Sequence, residues 1–213
     1  MGAAVARVLD RHDSAESAGH WSRDGDLESL LDGADVVVDF TLPEATNAIA
    51  RACVGAGRPL VCGVTGLDEA GEQVLHDAAR SIPVVYDRNM SVGVAVLTRA
   101  LANVATGLGA GFDASIAETH HVHKKDAPSG TALKLRDAIT GPFDPATIAL
   151  SSERRGEVPG DHEVIFESAT ERLCFSHSVT TRDVFAEGAV RAAVWAAGQS
   201  PGFYSMQDVL FKG

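Results

Sequence analysis

Three short apolar runs, separated by two segments with helical periodicity, constrain the fold of this chain more than any other feature. The runs are 34–40 (ADVVVDF), 58–66 (RPLVCGVTG) and 82–86 (IPVVY), and the intervening segments are 42–57 and 68–81. Continuous apolar, β-branched runs are typical of strands that are buried on both faces. Alternation of strand and helix predicts parallel pairing through right-handed crossovers, so we expect a doubly wound α/β fold.

The second half of the chain has a different pattern. Its predicted elements are a helix at 92–108, a strand at 113–121, a helix at 130–139, and strands at 146–155, 161–168 and 171–179. Short turns between consecutive strands favour antiparallel or mixed pairing. We therefore expect an α+β domain with a mixed or antiparallel sheet in this half.

A last amphipathic helix is predicted at 185–198 and ends at Gly198.

Composition excludes several classes of function. The net charge of −11 argues against a nucleic-acid binder, because phosphate backbones are bound mainly by an excess of Lys and Arg. No apolar run is long enough to span a bilayer, so we expect no membrane partner. The three cysteines, Cys53, Cys62 and Cys174, are scattered and odd in number, which argues against a disulfide framework or a zinc site. We expect a cytoplasmic protein.

Each predicted strand of the first domain ends in a short polar loop, at 39–41, 63–66 and 87–91. In doubly wound sheets the ligand lies beyond the carboxyl ends of the strands. The same residue types are also required by ordinary turns. The pattern alone therefore leaves a cofactor site and simple turns both open.

The segment ETHHVHKKDAPSGTAL at 118–133 concentrates protonatable groups before a predicted helix. Ser129 is a favourable N-cap, and Gly130 would let a ligand approach the backbone. Because the first N–H groups of a helix lack internal partners, they form an anion site, to which Lys124 and Lys125 add charge. A carboxylate or a phosphate is the expected ligand.

The three histidines of this segment suit proton transfer, because imidazole titrates near neutral pH. If the segment is extended, His121 and His123 point to one face, and His120 and Val122 to the other. Zinc ligation is an alternative, but the neighbouring lysines would repel a dication. A solvated basic patch beside a capped helix is a further alternative.

Several segments together resemble the 4-hydroxy-tetrahydrodipicolinate reductase (dihydrodipicolinate reductase) family. Besides the histidine segment they are VVVDFTLPEAT, VCGVTGLDEAG, NMSVGV, RRGEVPGDHEVIF and FAEGAVRAAVWAAGQSPGFYSMQDVL, in the order of the family. The resemblance covers essentially the whole chain from Ala34 onward. It implies hydride transfer from NADPH or NADH to a cyclic, unsaturated dicarboxylate, with loss of water, in lysine and diaminopimelate biosynthesis.

The resemblance also implies roles for individual residues. His120 matches the family's proton donor and acceptor, Lys124 its second proton donor, and His121 a substrate-contacting histidine. Gly130 and Thr131 match the backbone site for a substrate carboxylate. The residues that match the cofactor loops are Phe40, Gly63, Val64, Thr65, Asp87, Arg88, Asn89 and Met90.

Two departures from the family pattern concern the cofactor. Family members begin with a strand and a G-x-x-G-x-M-G loop, of which Met1-Gly2 match only the end, so we expect the first strand and most of that loop to be lacking. We align 19–26 with the second strand. Ser22 then replaces the acidic residue that holds the adenosine ribose, and Arg23 follows it, which favours NADPH. Met1 and Arg23 are therefore further candidate cofactor residues.

The resemblance implies a Rossmann-like dinucleotide-binding domain at 1–91 and 183–213, which is discontinuous because the last helix returns to it, and a substrate-binding domain at 92–182. It also implies a homotetramer that assembles through the sheets of the substrate domains, with Ile165 and Phe175 as apolar candidates for the outer face. Two functional hypotheses follow. The matched residues at 120–131 favour an active NAD(P)H-dependent reductase. The incomplete glycine loop favours a non-catalytic, truncated member that binds the dicarboxylate but not the cofactor.

Overall fold

The structure, a computed structural model, describes residues 1–21 and 25–212, which divide into two units. Unit 1 comprises Met1–Val92 and Asp183–Gly213, and unit 2 comprises Gly93–Arg182. Each unit has its own sheet and its own apolar core. Among the described residues, no helix is both long and apolar enough to cross a membrane.

The elements are numbered in chain order. The helices are α1 (Gly2–Leu9), α2 (Leu27–Leu31), α3 (Pro43–Ala56), α4 (Glu69–Ala78), α5 (Val92–Leu108), α6 (Gly130–Ile139), α7 (Asp183–Ala196) and α8 (Met206–Phe211). The strands are β1 (Val37–Asp39), β2 (Leu60–Cys62), β3 (Pro83–Tyr86), β4 (Asp113–His120), β5 (Ala149–Arg154), β6 (Asp161–Glu167), β7 (Arg172–Ser178) and β8 (Gly202–Tyr204).

The sheet of unit 1 is parallel throughout, with the strand order β1-β2-β3-β8. Val37 pairs with Leu60, and Leu60 pairs with Val84, so equivalent positions of the first three strands stand side by side. Every residue of β2 and β3 is buried, as their continuous apolar runs predict. The predicted doubly wound α/β fold is confirmed.

Local sequence explains the boundaries of α3 and α4. Pro43 occupies the first turn of α3, where a missing N–H costs nothing. The same helix ends at Gly57, whose φ of 65° lies in the left-handed region that glycine adopts without steric cost. Asp68 caps α4 by accepting a hydrogen bond from the Gly71 N–H at 2.8 Å. Gly57 and Asp68 therefore fix the end of α3 and the start of α4.

The predicted strand at 19–26 is wrong for the described part of that segment. Residues 19–21 and 25–26 pair with no strand. The Trp21 indole N–H instead donates to the Gly25 carbonyl at 2.8 Å, and Asp26 caps α2. Neither hydrogen bond belongs to a strand ladder. Ser22 and Arg23 lie outside the described residues.

The sheet of unit 2 is mixed and has the strand order β5-β4-β6-β7. Strand β4 runs parallel to β5 and antiparallel to β6, and β6 runs antiparallel to β7. One face of this sheet packs on residues of α5 and α6, and the core includes Ile116, Phe166, Leu101, Leu135 and Ile139. A mixed sheet is one of the two predicted forms.

The register places the two apolar residues predicted for the outer face on opposite faces. Phe175 pairs with the buried Val164 and packs against the core, so the prediction for Phe175 is wrong. Ile165 pairs with Ser115 and Cys174, and it lies on the face that points away from the core. Because side chains alternate along a strand, a shift of one residue changes the face.

Gly188 allows α7 to approach the loop that follows β3. A β-carbon on Gly188 would stand 1.7 Å from the carbonyl oxygen of Met90. The clash would be with backbone, which cannot rotate away as a flexible side chain can. Only glycine therefore permits this packing of α7 within unit 1.

We expect Gly188→Ala to lower the free energy of unfolding by about 1–3 kcal/mol or more, because the added methyl overpacks the contact with Met90. Gly55→Ala is the matched control, since Gly55 also lies in a helix of unit 1 and its β-carbon would meet no atom within 4 Å. That control should gain roughly 0.5–1 kcal/mol. Urea unfolding of both variants measures the difference, and equal stabilities would contradict this account.

Candidate functional site

The loops that follow β1, β2 and β3 lie together at the carboxyl edge of the parallel sheet of unit 1. The Gly63 N–H donates to the Asp39 carbonyl at 2.8 Å, and the Asp87 N–H donates to the Cys62 carbonyl at 3.3 Å. The Asp39 carboxylate also accepts the Thr41 N–H at 2.7 Å, which holds the first loop. The structure thus brings together the three predicted loops, at the edge where doubly wound sheets bind ligands.

The first two loops contact each other through Phe40 and Gly63. A β-carbon on Gly63 would stand 2.3 Å from the Phe40 ring, so the absence of a side chain allows this contact. Phe40 is half-buried and Thr65 is exposed, so both can offer side-chain atoms to a ligand. Val64 and Met90 are buried in the core, so they can offer only backbone atoms.

Side chains hold the shape of the third loop. The Asp87 carboxylate accepts the Asn89 N–H at 3.1 Å, and the side-chain amide oxygen of Asn89 (Oδ1) accepts the Ser91 N–H at 2.9 Å. Arg88 is exposed, and its guanidinium forms an ion pair with Glu72 of α4 at 2.6 Å. To bind a ligand, the Arg88 guanidinium must therefore break its ion pair with Glu72 or contact Glu72 and the ligand at the same time.

A cavity of about 1130 Å³ lies beside β1 and α7 in unit 1, and Phe40 and Thr41 contribute to its lining. Small-molecule pockets typically measure about 300–1,000 Å³, so the space is large enough for a nucleotide. Met1 packs with α1 against Ala186 and Val190 of α7. Arg23, the other candidate cofactor residue near the start of the chain, lies outside the described residues.

In unit 2, the carboxyl end of β4 carries Glu118 and His120 on the core face of the sheet. Both are buried, since alternation along the strand places them on the same face as Ile116. The Nδ1 of His120 is hydrogen-bonded to the Oε2 of Glu118. A carboxylate can only accept, so Nδ1 carries the hydrogen and Nε2 of the neutral ring is free to take up a proton.

Glu118 has two further partners at its other oxygen. The Arg154 guanidinium of β5 donates to Oε1 at 3.1 Å, and the Ser129 N–H donates to the same oxygen at 3.2 Å. A buried carboxylate is tolerated only when its charge is paired and its oxygens are hydrogen-bonded. Glu118 thereby connects β4, β5 and the N-cap of α6.

These contacts set the protonation of the pair. Burial would raise the pKa of Glu118, but hydrogen bonds from Ser152, Arg154 and His120 bring that pKa below its ordinary value. Burial lowers the pKa of His120, and the charges of Lys124 and Arg154 act in the same direction. The hydrogen bond that His120 donates to Glu118, together with the negative charge of Glu118, opposes this effect without cancelling it. At neutral pH the free protein therefore holds an ionised Glu118 and a neutral His120.

The chain turns directly after His120. The Lys124 N–H donates to the His121 carbonyl at 3.1 Å, so the predicted extended conformation is wrong beyond His120. The His121 and His123 rings still lie on the same side, with centroids 6.1 Å apart. The Lys124 ammonium is 2.8 Å from the Asp126 carboxylate. The turn therefore brings Lys124 back towards the start of α6.

The N-terminus of α6 follows this turn. The Ser129 hydroxyl accepts the Ala132 N–H at 3.1 Å, so the predicted N-cap is confirmed. A β-carbon on Gly130 would meet no atom within 4 Å, so the space beside the first helical residue is open. Thr131 is the next residue and its side chain is buried. This arrangement has the geometry of an anion site.

Sequence analysis missed two histidines beside this site, His162 of β6 and His177 of β7. His162 is the register partner of both Glu118 and His177. The His162 ring lies 5.2 Å from the His120 ring and 5.8 Å from the His177 ring, measured between centroids. Burial lowers the pKa of His162 to about 4. Within the described ranges, no group of three or more His, Cys, Asp or Glu is placed to hold a metal ion.

The fold is shared with solved dehydrogenases and reductases. The dipicolinate-bound dihydrodipicolinate reductase from Paenisporosarcina sp. TG-14 has a TM-score of 0.70 at 20% identity, over 87% of this chain and 77% of that chain. A probable dehydrogenase from Thermotoga maritima has a TM-score of 0.67 at 11% identity, over 97% and 89%. The chain therefore has the α/β fold of a dehydrogenase.

Sequence comparison identifies the family within that class. The profile of the dihydrodipicolinate reductase N-terminus matches residues 1–90, and that of the C-terminus matches residues 93–210. The 4-hydroxy-tetrahydrodipicolinate reductase of Halorhodospira halophila is 39% identical, over 98% of this chain and 90% of that protein. The one from Thiobacillus denitrificans is 44% identical, over 86% and 76%. The chain belongs to the dihydrodipicolinate reductase family of NAD(P)H-dependent oxidoreductases.

We expect Glu118→Gln to lower the free energy of unfolding by roughly 3 kcal/mol at neutral pH, because Arg154 loses its charged partner. In the folded protein the pKa of Glu118 lies below 4.5, the ordinary value for Glu. The stabilisation that the ionised carboxylate provides is therefore complete above pH 4.5, and it is lost as the pH falls through the folded-state pKa. The variant should therefore lose less stability in acid than the parent does.

Urea unfolding from neutral pH into the acid range measures this difference. Glu157→Gln is the control, because the Glu157 side chain is 80% exposed and pairs only loosely with His123. A Glu118→Gln protein with the stability and the acid profile of this control would show that the buried carboxylate does not stabilise the site.

Proposed function

We propose that this chain is a 4-hydroxy-tetrahydrodipicolinate reductase of lysine and diaminopimelate biosynthesis, which uses NADPH or NADH. The observation that carries the proposal is the buried Glu118–His120 pair beside the capped N-terminus of α6, in a member of this family. In the reaction the cyclic dicarboxylate loses one water molecule and takes up one hydride and one proton, which yields tetrahydrodipicolinate.

One substrate carboxylate is proposed to lie at the N-terminus of α6. The N-terminus of that helix, at Gly130 and Thr131, carries partial positive charge. The Gly130 N–H donates to the Asp126 carboxylate, so a substrate carboxylate would compete with Asp126 for it. The open space beside Gly130 leaves room for a carboxylate oxygen. Lys124 adds a full positive charge, and the bound dianion would compete with Asp126 for it.

His121 is proposed to contact the substrate as well. Its Nδ1 is buried and has no hydrogen-bond partner in the described part of the chain. An unpaired buried nitrogen costs about 1–3 kcal/mol, and a ligand oxygen would remove that cost. This favours a polar ligand beside the turn that contains His121 and Lys124.

His120 is proposed to be the general acid, with Lys124 as a second proton donor. Hydride addition leaves an electron-rich ring that must be protonated, which a positioned acid accelerates. Because Glu118 holds Nδ1–H, the proton is taken up and delivered at Nε2. A bound dianion raises the pKa of a nearby imidazole, so substrate binding itself would charge His120.

The nicotinamide cofactor is proposed to bind unit 1 at the three loops. Phe40 and Thr65 offer side chains, while Gly63, Val64 and Met90 offer backbone atoms, and Asp87 with Asn89 maintains the third loop. The adjoining cavity of about 1130 Å³ fits a dinucleotide. When bound, the cofactor supplies the hydride. A role for Met1 would be limited by its packing on α7.

Three finer features stay predictions. A preference for NADPH rests on Ser22 and Arg23, which lie outside the described residues. The cytoplasmic location rests on the cysteine pattern of the sequence. The homotetramer is proposed to assemble through the outer face of the sheet of unit 2, where Ile165 is half-buried beside small and polar neighbours such as Ser115 and Cys174.

Gly130→Ala tests the proposed carboxylate site. The methyl group would fill the open space without a clash in the free protein, so the variant should fold normally. We expect its affinity for pyridine-2,6-dicarboxylate to fall about tenfold or more, through loss of charge-assisted hydrogen bonds worth roughly 1.5–3 kcal/mol. Calorimetric titration measures the affinity, and NADPH oxidation with the substrate measures turnover.

Gly107→Ala is the matched control, because Gly107 also lies in a helix of unit 2 and its β-carbon would also meet no atom within 4 Å. It should bind and turn over as the parent does. Unchanged affinity in Gly130→Ala would contradict the carboxylate site. Dicarboxylate binding without any NADPH or NADH oxidation by the parent would instead support the non-catalytic alternative.

A further inference from the structure

His162 is a buried imidazole that the proposed chemistry does not use. It is 3% exposed, and neither ring nitrogen has a hydrogen-bond partner in the part of the chain that the structure describes. Leaving such a group unpaired costs about 1–3 kcal/mol for each polar atom, so native proteins pair it with water or a ligand. His162 therefore requires polar partners at both of its nitrogens.

The position of His162 indicates that a polar partner of its ring would also contact His120. The point where a β-carbon on Gly160 would stand is 3.1 Å from Nε2 of His120 and 3.5 Å from Cε1 of His162. The exchangeable nitrogen of His120 and the edge of the His162 ring thus face the same small space. Glycine at position 160 keeps that space free of side-chain atoms.

The row of imidazoles continues to the edge of the sheet. His177 is the register partner of His162, and its ring centroid lies 5.8 Å from that of His162. Strand β7, which carries His177, has a neighbouring strand on one side only, and His177 is half-buried. The row thus leads from the buried His120 to a position near solvent.

We propose that His162 and His177 form a proton relay that exchanges the proton on Nε2 of His120 with solvent at the β7 edge. This inference rests on the proposed function, because His120 must regain a proton in each turnover. His120 is itself 7% exposed, which restricts direct exchange with water.

In the relay, each neutral imidazole accepts a proton at one nitrogen and releases one from the other. One bridging water between neighbouring rings satisfies the unpaired nitrogens of His162. Only protons move: one leaves solvent at His177 and one arrives at His120, and no electrons are transferred.

The charges around the row are compatible with such transfer. Glu118 of β4 and Asp161 of β6 favour the protonated form of His162, while His120 and His177 oppose it. Arg154 of β5 and Lys124 disfavour a lasting positive charge at His120. These groups keep the three rings mostly neutral, so a proton would pass along the row rather than stay on it.

The test is the rate at which the Nε2 proton of His120 exchanges with water, followed by nitrogen-15 NMR in the full chain saturated with pyridine-2,6-dicarboxylate. The bound dianion is needed because the free, neutral ring carries its hydrogen at Nδ1. The signal is assigned by its loss in His120→Gln. In His162→Phe, which keeps a ring but cannot carry a proton, we expect exchange to slow about tenfold or more. The kcat should fall by a similar factor, with KM for substrate and cofactor unchanged.

Two further variants keep the test decisive. His162→Gln retains hydrogen-bonding atoms but cannot relay a proton, so it should behave like His162→Phe and replaces it if the phenyl ring prevents folding. His123→Gln is the control, because the His123 side chain is 73% exposed and outside the row. It should exchange and turn over as the parent does.

Exchange does not depend on turnover, so the two proposals can fail separately. If the parent oxidises neither NADPH nor NADH but exchange is still slower in the two His162 variants than in the parent, the relay is supported and the proposed function is overturned. Unchanged exchange in both His162 variants would overturn the relay, whatever happens to kcat, and would leave His162 with a packing role.

Discussion

The buried charge of Glu118 is the constraint on which the site in unit 2 depends. A carboxylate whose side chain has no exposed surface must find compensating partners, and it finds them on three separate elements. His120 lies on the same strand, Arg154 on the neighbouring strand, and Ser129 at the start of α6. The requirement to pair one charge therefore places the proposed acid–base imidazole of His120 beside the proposed anion site at the start of α6, since the two oxygens of Glu118 hold both.

Much of the fold could be predicted from the sequence, because the relevant signals are local. The continuous apolar runs of β2 and β3 and the residues that bound α3, Pro43 and Gly57, are each readable within a few positions. The helices α2 and α8 were missed, since five and six residues are too few to show a helical period. Strand β8 was missed because its residues, Gly202–Tyr204, include no β-branched residue of the kind that marks β1, β2 and β3. The strand prediction is wrong for the described residues 19–21 and 25–26, because Trp21 donates to the Gly25 carbonyl and Asp26 caps α2, and alignment to a family position does not reveal either contact.

The candidate site was only partly predictable, because only contacts within one segment can be inferred from local sequence. His120, Lys124 and Gly130 lie within one segment, so their proximity could be inferred from sequence. Glu118 belongs to the same segment, and its position two residues before His120 on a strand was an available signal for a shared face.

His162, Val164 and Phe166 are every second residue of β6, so the sequence marks His162 as a residue of the core face. Its proximity to His120 could not be predicted, because that depends on the pairing of β6 with β4. Pairing between distant strands is not encoded in any single segment. The same limit explains the wrong prediction for Phe175, because the face on which Phe175 lies is set by its pairing with Val164 of β6.

The central claim is that a dicarboxylate binds beside a neutral His120 and charges it. Calorimetric titration of pyridine-2,6-dicarboxylate at neutral pH, repeated in buffers of different ionisation enthalpy, measures the protons taken up on binding. Because burial holds the pKa of free His120 below its ordinary value and a dianion raises it, we expect uptake approaching one proton per chain, lost in His120→Gln. Binding without proton uptake, or with the same uptake in His120→Gln, would contradict the account.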